Sequence, residues 1–321
     1  MKLLIADMKC RKIQKAVFSK MGKRPDQINS FAAMKTEYTV YPNGITCIND
    51  LCYGEKYPNS FLDIWKMKDA DRSCPTVVYF HGGGMLFGDK ALGDPLAAEG
   101  MMGLIQEIVK RGFNLVSVNY ALAPDYRFPS QPRQSMQALV WLCRNTEALQ
   151  LNMDRVVIMG SSAGANITLL LGQALANPDY AAQLEIHEVI ESSRIKALIA
   201  DESVLSTGSF DRRLRLMSES WLGETDFVSG KNANLVVAQK YMTTSFFPTF
   251  VNSSNTQALF HTEALYTVAA LEKTNAPHEL FYRTQEEAGE LPHGFVKRFA
   301  TNPASKECFD RMIEFMRKYT Q

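Results

Sequence analysis

The sequence predicts an α/β fold in which a mostly parallel central sheet of about eight strands is covered by helices on both faces. The first observation is a series of short, continuous apolar runs, which are typical of strands buried on both sides. The second is that helix-like segments alternate with these runs, as they do around parallel sheets. The apolar runs are 76–81, 113–120, 155–160, 195–200, 247–252 and 278–283, and the helix-like segments are 97–111, 130–147, 164–177, 261–273 and 304–319.

Three further strands are predicted ahead of the first apolar run, at 36–42, 45–53 and 61–67. They are rich in β-branched and aromatic residues, and turn residues separate them. Strands joined by short turns pair in antiparallel fashion. We therefore expect these strands at one edge of the sheet, as its antiparallel part.

Two segments do not fit the alternation and are predicted to form a helical cap. Residues 1–35 carry apolar side chains at helical spacing, which indicates one or two amphipathic helices. Residues 206–245 interrupt the strand–helix pattern with a charged, mixed helical segment. We expect N-terminal cap helices at 1–35 and one main domain at 36–321, with a cap insertion at about 206–245 over the carboxyl ends of the strands.

Charge and cysteine content narrow the class of protein. A net charge of +1 gives no reason to expect nucleic acid or an anionic membrane as a partner. The N-terminal apolar run has only four residues, too short for a signal-peptide core, and no stretch reaches the roughly 18 apolar residues of a membrane span. The six scattered cysteines lack C-x-x-C spacing and predict free thiols rather than a zinc or redox site. These features indicate a cytoplasmic protein.

The sequence Gly160-Ser161-Ser162-Ala163-Gly164 follows the apolar run 155–160 and opens into a helix-like segment. A G-x-S-x-G motif between a strand and a helix is typical of a nucleophilic serine on a tight turn. The glycines on either side allow the strand and the helix to approach closely. Ser162 holds the central position and is the predicted nucleophile, whereas Ser161 is a weaker candidate.

A glycine run, His81-Gly82-Gly83-Gly84, follows the first apolar run. It lacks the G-x-G-x-x-G spacing and the Gly-Lys-Ser/Thr ending of phosphate-binding loops. Together with the serine motif it favours an oxyanion hole, in which main-chain N–H groups approach a developing negative charge. The predicted donors are the N–H groups of Gly83, Gly84 and Ala163. His81 is expected to orient the loop.

His293 is the predicted general base among the five histidines. It lies in the sequence LPHGF, after the last strand-like run and before the C-terminal helix. This position gives the chain order serine, acid, histidine that is typical of α/β-hydrolases. His261 is the second candidate, and packing near a helix start is its simpler interpretation.

The combined motifs resemble those of the hormone-sensitive-lipase-like esterases (bacterial family IV, acetyl esterase-like). The matching sequences are HGGG at 81–84, NYALAPDYRFPS at 119–130, GSSAG at 160–164 and LPHGF at 291–295. The resemblance covers about residues 45–320. It implies an α/β-hydrolase fold, a catalytic triad and the hydrolysis of carboxylic esters, mostly with short acyl chains. It also implies that no metal or cofactor takes part.

One departure from this family concerns the acid of the triad. The family's acid motif falls on SNTQALFHT, so that Gln257 stands where the aspartate is expected. An amide at this position could still hold the imidazole of His293. It cannot stabilise the imidazolium, and the corresponding Asp-to-Asn change in a serine-protease triad lowers kcat about 10⁴-fold.

A carboxylate on the neighbouring strand could replace the missing acid. Some α/β-hydrolases carry their acid there, and alignment by the strand and the following Val-Leu places Glu202 at that step. In an extended strand Asp201 and Glu202 point to opposite faces, so that only one is expected to face His293. We hypothesise that Glu202 is the acid, with Asp201 as the alternative. Glu263 is expected to be a capping charge in the first turn of the following helix.

The leading functional hypothesis is a serine carboxylesterase that cleaves small, uncharged esters through an acyl-enzyme intermediate. Two alternatives stay open: a catalytically weak hydrolase-fold protein that binds a small ligand, and a hydrolase of formamides or other small amides. The sequence leaves open the acyl-chain length and whether the chain forms a homo-oligomer. The apolar residues of the predicted cap suit a hydrophobic substrate and equally suit ordinary packing; they are Met217, Trp221 and Leu222.

Overall fold

The computed structural model describes residues 1–91, 101–205, 212–243 and 246–321. Its sheet has nine strands in the order β1-β2-β3-β5-β4-β6-β7-β8-β9. The strands are β1 Glu37–Val40, β2 Ile45–Cys52, β3 Phe61–Met67, β4 Pro75–Phe80, β5 Asn114–Val118, β6 Asn152–Ser161, β7 Ile195–Asp201, β8 Thr249–Asn252 and β9 His278–Phe281.

The helices cover both faces of this sheet, and most of them connect consecutive strands. They are α1 Lys2–Lys20, α2 Met101–Lys110, α3 Ser130–Arg144, α4 Thr146–Leu149, α5 Ala163–Ala176, α6 Pro178–Gln183, α7 Arg212–Leu222, α8 Lys231–Leu235, α9 Ala258–Lys273, α10 Gln285–Ala288 and α11 Pro303–Thr320. The predicted segment 130–147 is two helices, because the chain leaves the helical path at Asn145.

The strand directions confirm the predicted mostly parallel sheet. Strands β4 to β9 pair in parallel with one another. Strands β1, β2 and β3 form one edge, and they pair antiparallel with each other and, through β3, with β5. The observed number is nine strands rather than about eight. In a parallel sheet the carboxyl ends of the strands meet at one edge, where loops can bring distant residues together.

The central strands are buried on both faces, which explains their continuous apolar sequences. Side chains of β4 alternate between the two sides: Val78 and Phe80 pack into the core under α3 and α5, and Val77 and Tyr79 into the core under α2 and α11. All four are fully buried. The site at the carboxyl edge is therefore built on a rigid base.

Helix α1 packs against α7, the described helix of the predicted insertion. The Asp7 carboxylate accepts a hydrogen bond from the Ser220 hydroxyl at 2.8 Å, and the Cys10 thiol lies 3.5 Å from the Leu216 carbonyl. Parts of two predicted segments lie outside the described residues: 97–100 of a helix, and 206–211 with 244–245 of the insertion. In the described ranges, no helix is long and apolar enough to span a bilayer.

Candidate active site

Ser162 lies on a sharp turn between β6 and α5. Its φ of +55° is in the left-handed region, which a non-glycine residue seldom adopts. A Cβ on Gly160 would lie 2.1 Å from the carbonyl oxygen of Gly164, and one on Gly164 would lie 1.9 Å from the carbonyl oxygen of Phe80. Only glycine fits at either position, so the motif's two glycines are explained by close backbone approach.

Ser162 and His293 line one cavity of about 250 Å³. Two of the predicted oxyanion residues, Gly84 and Ala163, line it as well. Apolar side chains form most of the remaining wall; they are Met85, Phe87, Val204, Leu214, Met217, Trp221 and Phe260. Leu222 is buried in the core instead. A small, largely apolar cavity with a few convergent polar groups is typical of a small-molecule site.

The imidazole of His293 contacts Glu202 and Phe260. Its Nδ1 lies 3.0 Å from Oε2 of Glu202. Its ring stacks on that of Phe260, with centroids 4.4 Å apart and planes 9° from parallel. The side chain is 21% exposed, so it is accessible from the cavity. The first contact fixes the edge of the ring and the second fixes its plane.

Glu202 is fully buried and its carboxylate accepts several hydrogen bonds. The N–H of Ser254 donates to Oε1 at 3.0 Å, and the N–H of Gly294 donates to Oε2. Burial by itself would raise the pKa of Glu202, but the neighbouring His293 and these N–H groups outweigh it, and the pKa lies below its ordinary value. Glu202 is therefore ionised next to the histidine.

The adjacent Asp201 has a different environment. Its Oδ1 accepts a hydrogen bond from the amide of Asn252 at 2.8 Å, on the neighbouring strand. Burial, and next the charge of Glu202, raise the pKa of Asp201. Strand β7 ends at Asp201, and Glu202 has a φ of +57°. The prediction that both residues are part of an extended strand is therefore wrong: the left-handed turn at Glu202, not strand alternation, directs its carboxylate towards His293.

The loop at the family's acid position carries Gln257 in place of a carboxylate. Gln257 is exposed at the start of α9 and lines the cavity. Nδ1 of His293 faces Glu202. The prediction for Glu263 is wrong: it is buried beyond the first turn of α9 and accepts a hydrogen bond from the N–H of Leu205 at 3.0 Å. Glu263 therefore supports the segment that follows Glu202.

The glycine loop contains two residues in the left-handed region of backbone conformation. Gly83 and Gly84 have φ angles of +111° and +59°. Within the described ranges, the N–H groups of Gly83, Gly84 and Ala163 have no main-chain acceptor. Nδ1 of His81 lies 2.7 Å from the carbonyl oxygen of Gly82. Tyr120 stacks on the His81 ring and donates to the His81 carbonyl at 2.7 Å, so His81 is part of the loop's support.

A buried ion cluster holds the far end of the same loop. Nζ of Lys90 lies 2.9 Å from Oδ1 of Asp63 on β3 and 2.8 Å from Oδ1 of Asp50. Lys90 and Asp63 are almost fully buried. Removing one partner of such a cluster leaves a charge in the interior without compensation. The cluster fixes the segment 81–91 to the antiparallel edge of the sheet.

Sequence reasoning missed Phe260 and Asn166. Asn166 in α5 donates to the Val204 carbonyl and accepts from the Val204 N–H, both at 2.8 Å. Its polar side chain within an otherwise apolar helix was a usable signal. Phe260 gave none, because a phenylalanine near a helix start is ordinary packing. His261 stacks on Tyr282 at 3.7 Å, in keeping with the packing interpretation.

The chain is similar in sequence to a known protein family and to curated esterases. The family model described as BD-FAE matches residues 62–264, which is more than half of the chain. Among curated proteins, carboxylesterase NlhH of Mycobacterium tuberculosis is 38% identical over 99 residues, 31% of this chain and 29% of that protein. Ethyl acetate hydrolase of Pseudomonas putida is 32% identical over 121 residues, 36% of each chain. The matches thus span about a third of the length of these relatives.

Solved structures resemble the whole chain at low sequence identity. Esterase B from Lactobacillus rhamnosis has a TM-score of 0.72 at 14% identity, covering 99% of this chain and 94% of that one. The carboxylesterase EstE1, cloned from a metagenomic library, has a TM-score of 0.66 at 17% identity, covering 99% and 98%. These similarities show that the fold is the α/β-hydrolase fold.

Proposed function

The chain belongs to the BD-FAE family, and on that premise we propose that it is a serine hydrolase that cleaves small or short-acyl carboxylic esters through an acyl-enzyme intermediate. The curated relatives support this proposal, since they are named carboxylesterase and ethyl acetate hydrolase. The observation that carries it is the 3.0 Å contact of the buried Glu202 with His293, which lines the same cavity as Ser162.

In the proposed reaction, Ser162 is the nucleophile and attacks the carbonyl carbon of the ester. His293 takes the hydroxyl proton and then donates it to the leaving alcohol. Glu202 stabilises the imidazolium that forms between these two steps. A water molecule, deprotonated by His293, then attacks the acyl-enzyme. The bond to Ser162 breaks, His293 returns the proton to the Ser162 oxygen, and the carboxylic acid is released.

The proposed oxyanion hole is formed by the N–H groups of Gly83, Gly84 and Ala163. These donors would bind the negative charge that develops on the carbonyl oxygen in the tetrahedral intermediate. Losing one such donor costs roughly 3 kcal/mol of transition-state stabilisation. The wall of apolar side chains supports an uncharged acyl or alcohol group as the ligand of the cavity.

Labelling with a fluorophosphonate tests this function, because the reagent phosphonylates an activated serine. Intact-protein mass spectrometry should show one adduct on the wild-type chain and none on Ser162→Ala. Ser161→Ala is the matched control, because it removes the neighbouring hydroxyl and should leave labelling intact. An unlabelled but folded wild-type protein would favour a binding protein without hydrolase activity.

The alternative of a small-amide or formamide hydrolase uses the same residues. Amide hydrolysis requires His293 to protonate the leaving group more completely, since an amine leaves only after protonation. Comparing turnover of phenyl acetate and formanilide by the same preparation distinguishes the two substrate classes. We expect kcat/KM to be higher for the ester by several orders of magnitude.

The proposed location is the cytoplasm. All six cysteines are free, and Cys10, Cys47 and Cys308 are buried. Free thiols in such number are typical of a reducing compartment. The predicted division into a main domain and a cap likewise stays a proposal, supported by the packing of α1 on α7.

A further inference from the structure

The outward side of α1 carries apolar side chains that the rest of the described chain leaves in solvent. The exposed fractions are 64% for Leu4, 43% for Ile5 and 64% for Met8. With 3.6 residues per turn, these three lie on one side of the helix, about 180° from the buried Ala6 and Cys10. Helix α1 is thus apolar on two opposite sides, and only the inner one is buried.

The same outward half of α1 is also positively charged. Lys9, Lys12 and Lys15 are exposed, and none of them forms an ion pair with another described residue. The one acidic residue of the helix, Asp7, faces inward and pairs with Arg127 at 2.6 Å. The outward face therefore combines an apolar stripe with lysines and has no carboxylate.

We propose that α1 docks the chain on an anionic lipid surface. An amphipathic helix lies in such a surface with its apolar side chains among the acyl chains and its lysines at the head groups. The lysines of α1 are complementary in charge to anionic head groups, although the whole chain has a net charge of only +1. Three partly exposed side chains fall well short of the ~800 Å² per partner that a stable protein interface buries, which disfavours a second copy of the chain as the occupant.

Docking through α1 would bring the cavity close to the lipid. Helix α1 packs on α7, and Leu214, Met217 and Trp221 of α7 line the cavity. Docking itself does not depend on the proposed hydrolase activity, so it can be measured separately.

Vesicle co-sedimentation of the full chain tests the proposal. We expect binding to vesicles of phosphatidylglycerol and phosphatidylcholine in equal parts to be about tenfold stronger than to phosphatidylcholine alone, and to weaken at high salt. Replacing Leu4, Ile5 and Met8 together by Ser should lower binding about tenfold or more. Replacing Lys9, Lys12 and Lys15 together by Glu should abolish the preference for the anionic vesicles.

A matched control makes the same change of net charge elsewhere: Lys35, Lys273 and Lys318, all exposed, are replaced together by Glu. This variant should bind the anionic vesicles nearly as the wild type does. Equal binding by the control and by the α1 lysine variant would overturn the proposal, and so would an absence of wild-type binding. A wild-type dimer in light scattering that the serine variant dissolves would assign the stripe to self-association instead.

Discussion

Oε2 of Glu202 lies 3.0 Å from Nδ1 of His293, although the two residues are 91 positions apart in the sequence. Glu202 follows the end of β7, and His293 lies in the loop between β9 and α11. The loop after β8, where related enzymes are expected to carry the acid, contributes the Ser254 N–H to Glu202 instead. In this structure the loop after β8 therefore contributes a main-chain donor to the carboxylate of Glu202.

This relationship predicts the effect of Glu202→Gln on catalysis. The amide cannot stabilise the imidazolium, so we expect kcat for a soluble ester to fall by about 10³- to 10⁴-fold, with KM little changed. Asp201→Asn is the matched control, since it removes the neighbouring carboxyl while keeping an acceptor for Asn252. Steady-state kinetics should find it within about threefold of the wild type. A large loss in Asp201→Asn with none in Glu202→Gln would assign the acid to Asp201.

The stacking of Phe260 on His293 predicts a positioning role for this side chain. Phe260→Leu keeps an apolar group but removes the flat ring, and a stacked pair contributes about 0.5–1.5 kcal/mol. We expect kcat to fall by about 2- to 10-fold with KM little changed. Phe260→Tyr, which keeps the stack, should restore most of kcat.

Phe309→Leu serves as the control for a general packing effect. Phe309 is buried and stacks on Phe299 with centroids 4.8 Å apart, on a different part of the protein. The Phe309→Leu variant should lower the free energy of unfolding by an amount similar to that of Phe260→Leu and leave kcat unchanged. If both variants lower kcat equally, Phe260 only contributes to stability.

The glycine loop predicts a difference between two substitutions at left-handed positions. Gly84→Ala and Gly112→Ala each place a methyl group on a residue with positive φ, which costs about 1–2 kcal/mol of stability. Only at Gly84 does the new Cβ meet another group, 1.9 Å from Cε of Met217 in the cavity wall. Kinetics should show a fall in kcat for Gly84→Ala, up to about 100-fold, and none for Gly112→Ala.

Most of the fold could be predicted because it depends on apolar periodicity. The run 195–200 is β7 almost residue for residue, and 304–319 is α11 within one residue at each end. The predicted boundaries of helices were wrong where a local turn determines them, as at Asn145 between α3 and α4. A propensity-based prediction cannot distinguish a long helix from two helices separated by one residue.

The site could be predicted only where a local motif carries it. The turn at Ser162 requires glycines at fixed positions, so its sequence is recognisable. The left-handed turn at Glu202 has no such signal, because it depends on hydrogen bonds from residues 254 and 294 in two distant loops. The outward face of α1 was also missed. The net charge of the whole chain is only +1, and this sum hides the positive charge of one helix whose exposed charged residues are mostly lysines.

The two adjacent buried carboxyls predict opposite dependences of stability on pH. The pKa of Glu202 is lowered in the folded protein, so its stabilising contribution is present at neutral pH and is lost as the pH falls through that lowered pKa. The pKa of Asp201 is raised. Above about pH 4, the unfolded chain therefore releases a proton that the folded chain keeps, and the free energy of unfolding falls as the pH rises.

Urea unfolding between about pH 2 and pH 7 measures both contributions through the same pair of variants. The stability of Asp201→Asn relative to the wild type should increase as the pH rises, because the variant no longer has a carboxyl that must stay protonated. Glu202→Gln should be less stable than the wild type at pH 7, and the difference should shrink only below about pH 4, where the unfolded chain takes up the proton first. A constant difference above about pH 4 for Asp201→Asn would contradict this prediction, because it would mean that Asp201 is ionised in the folded protein.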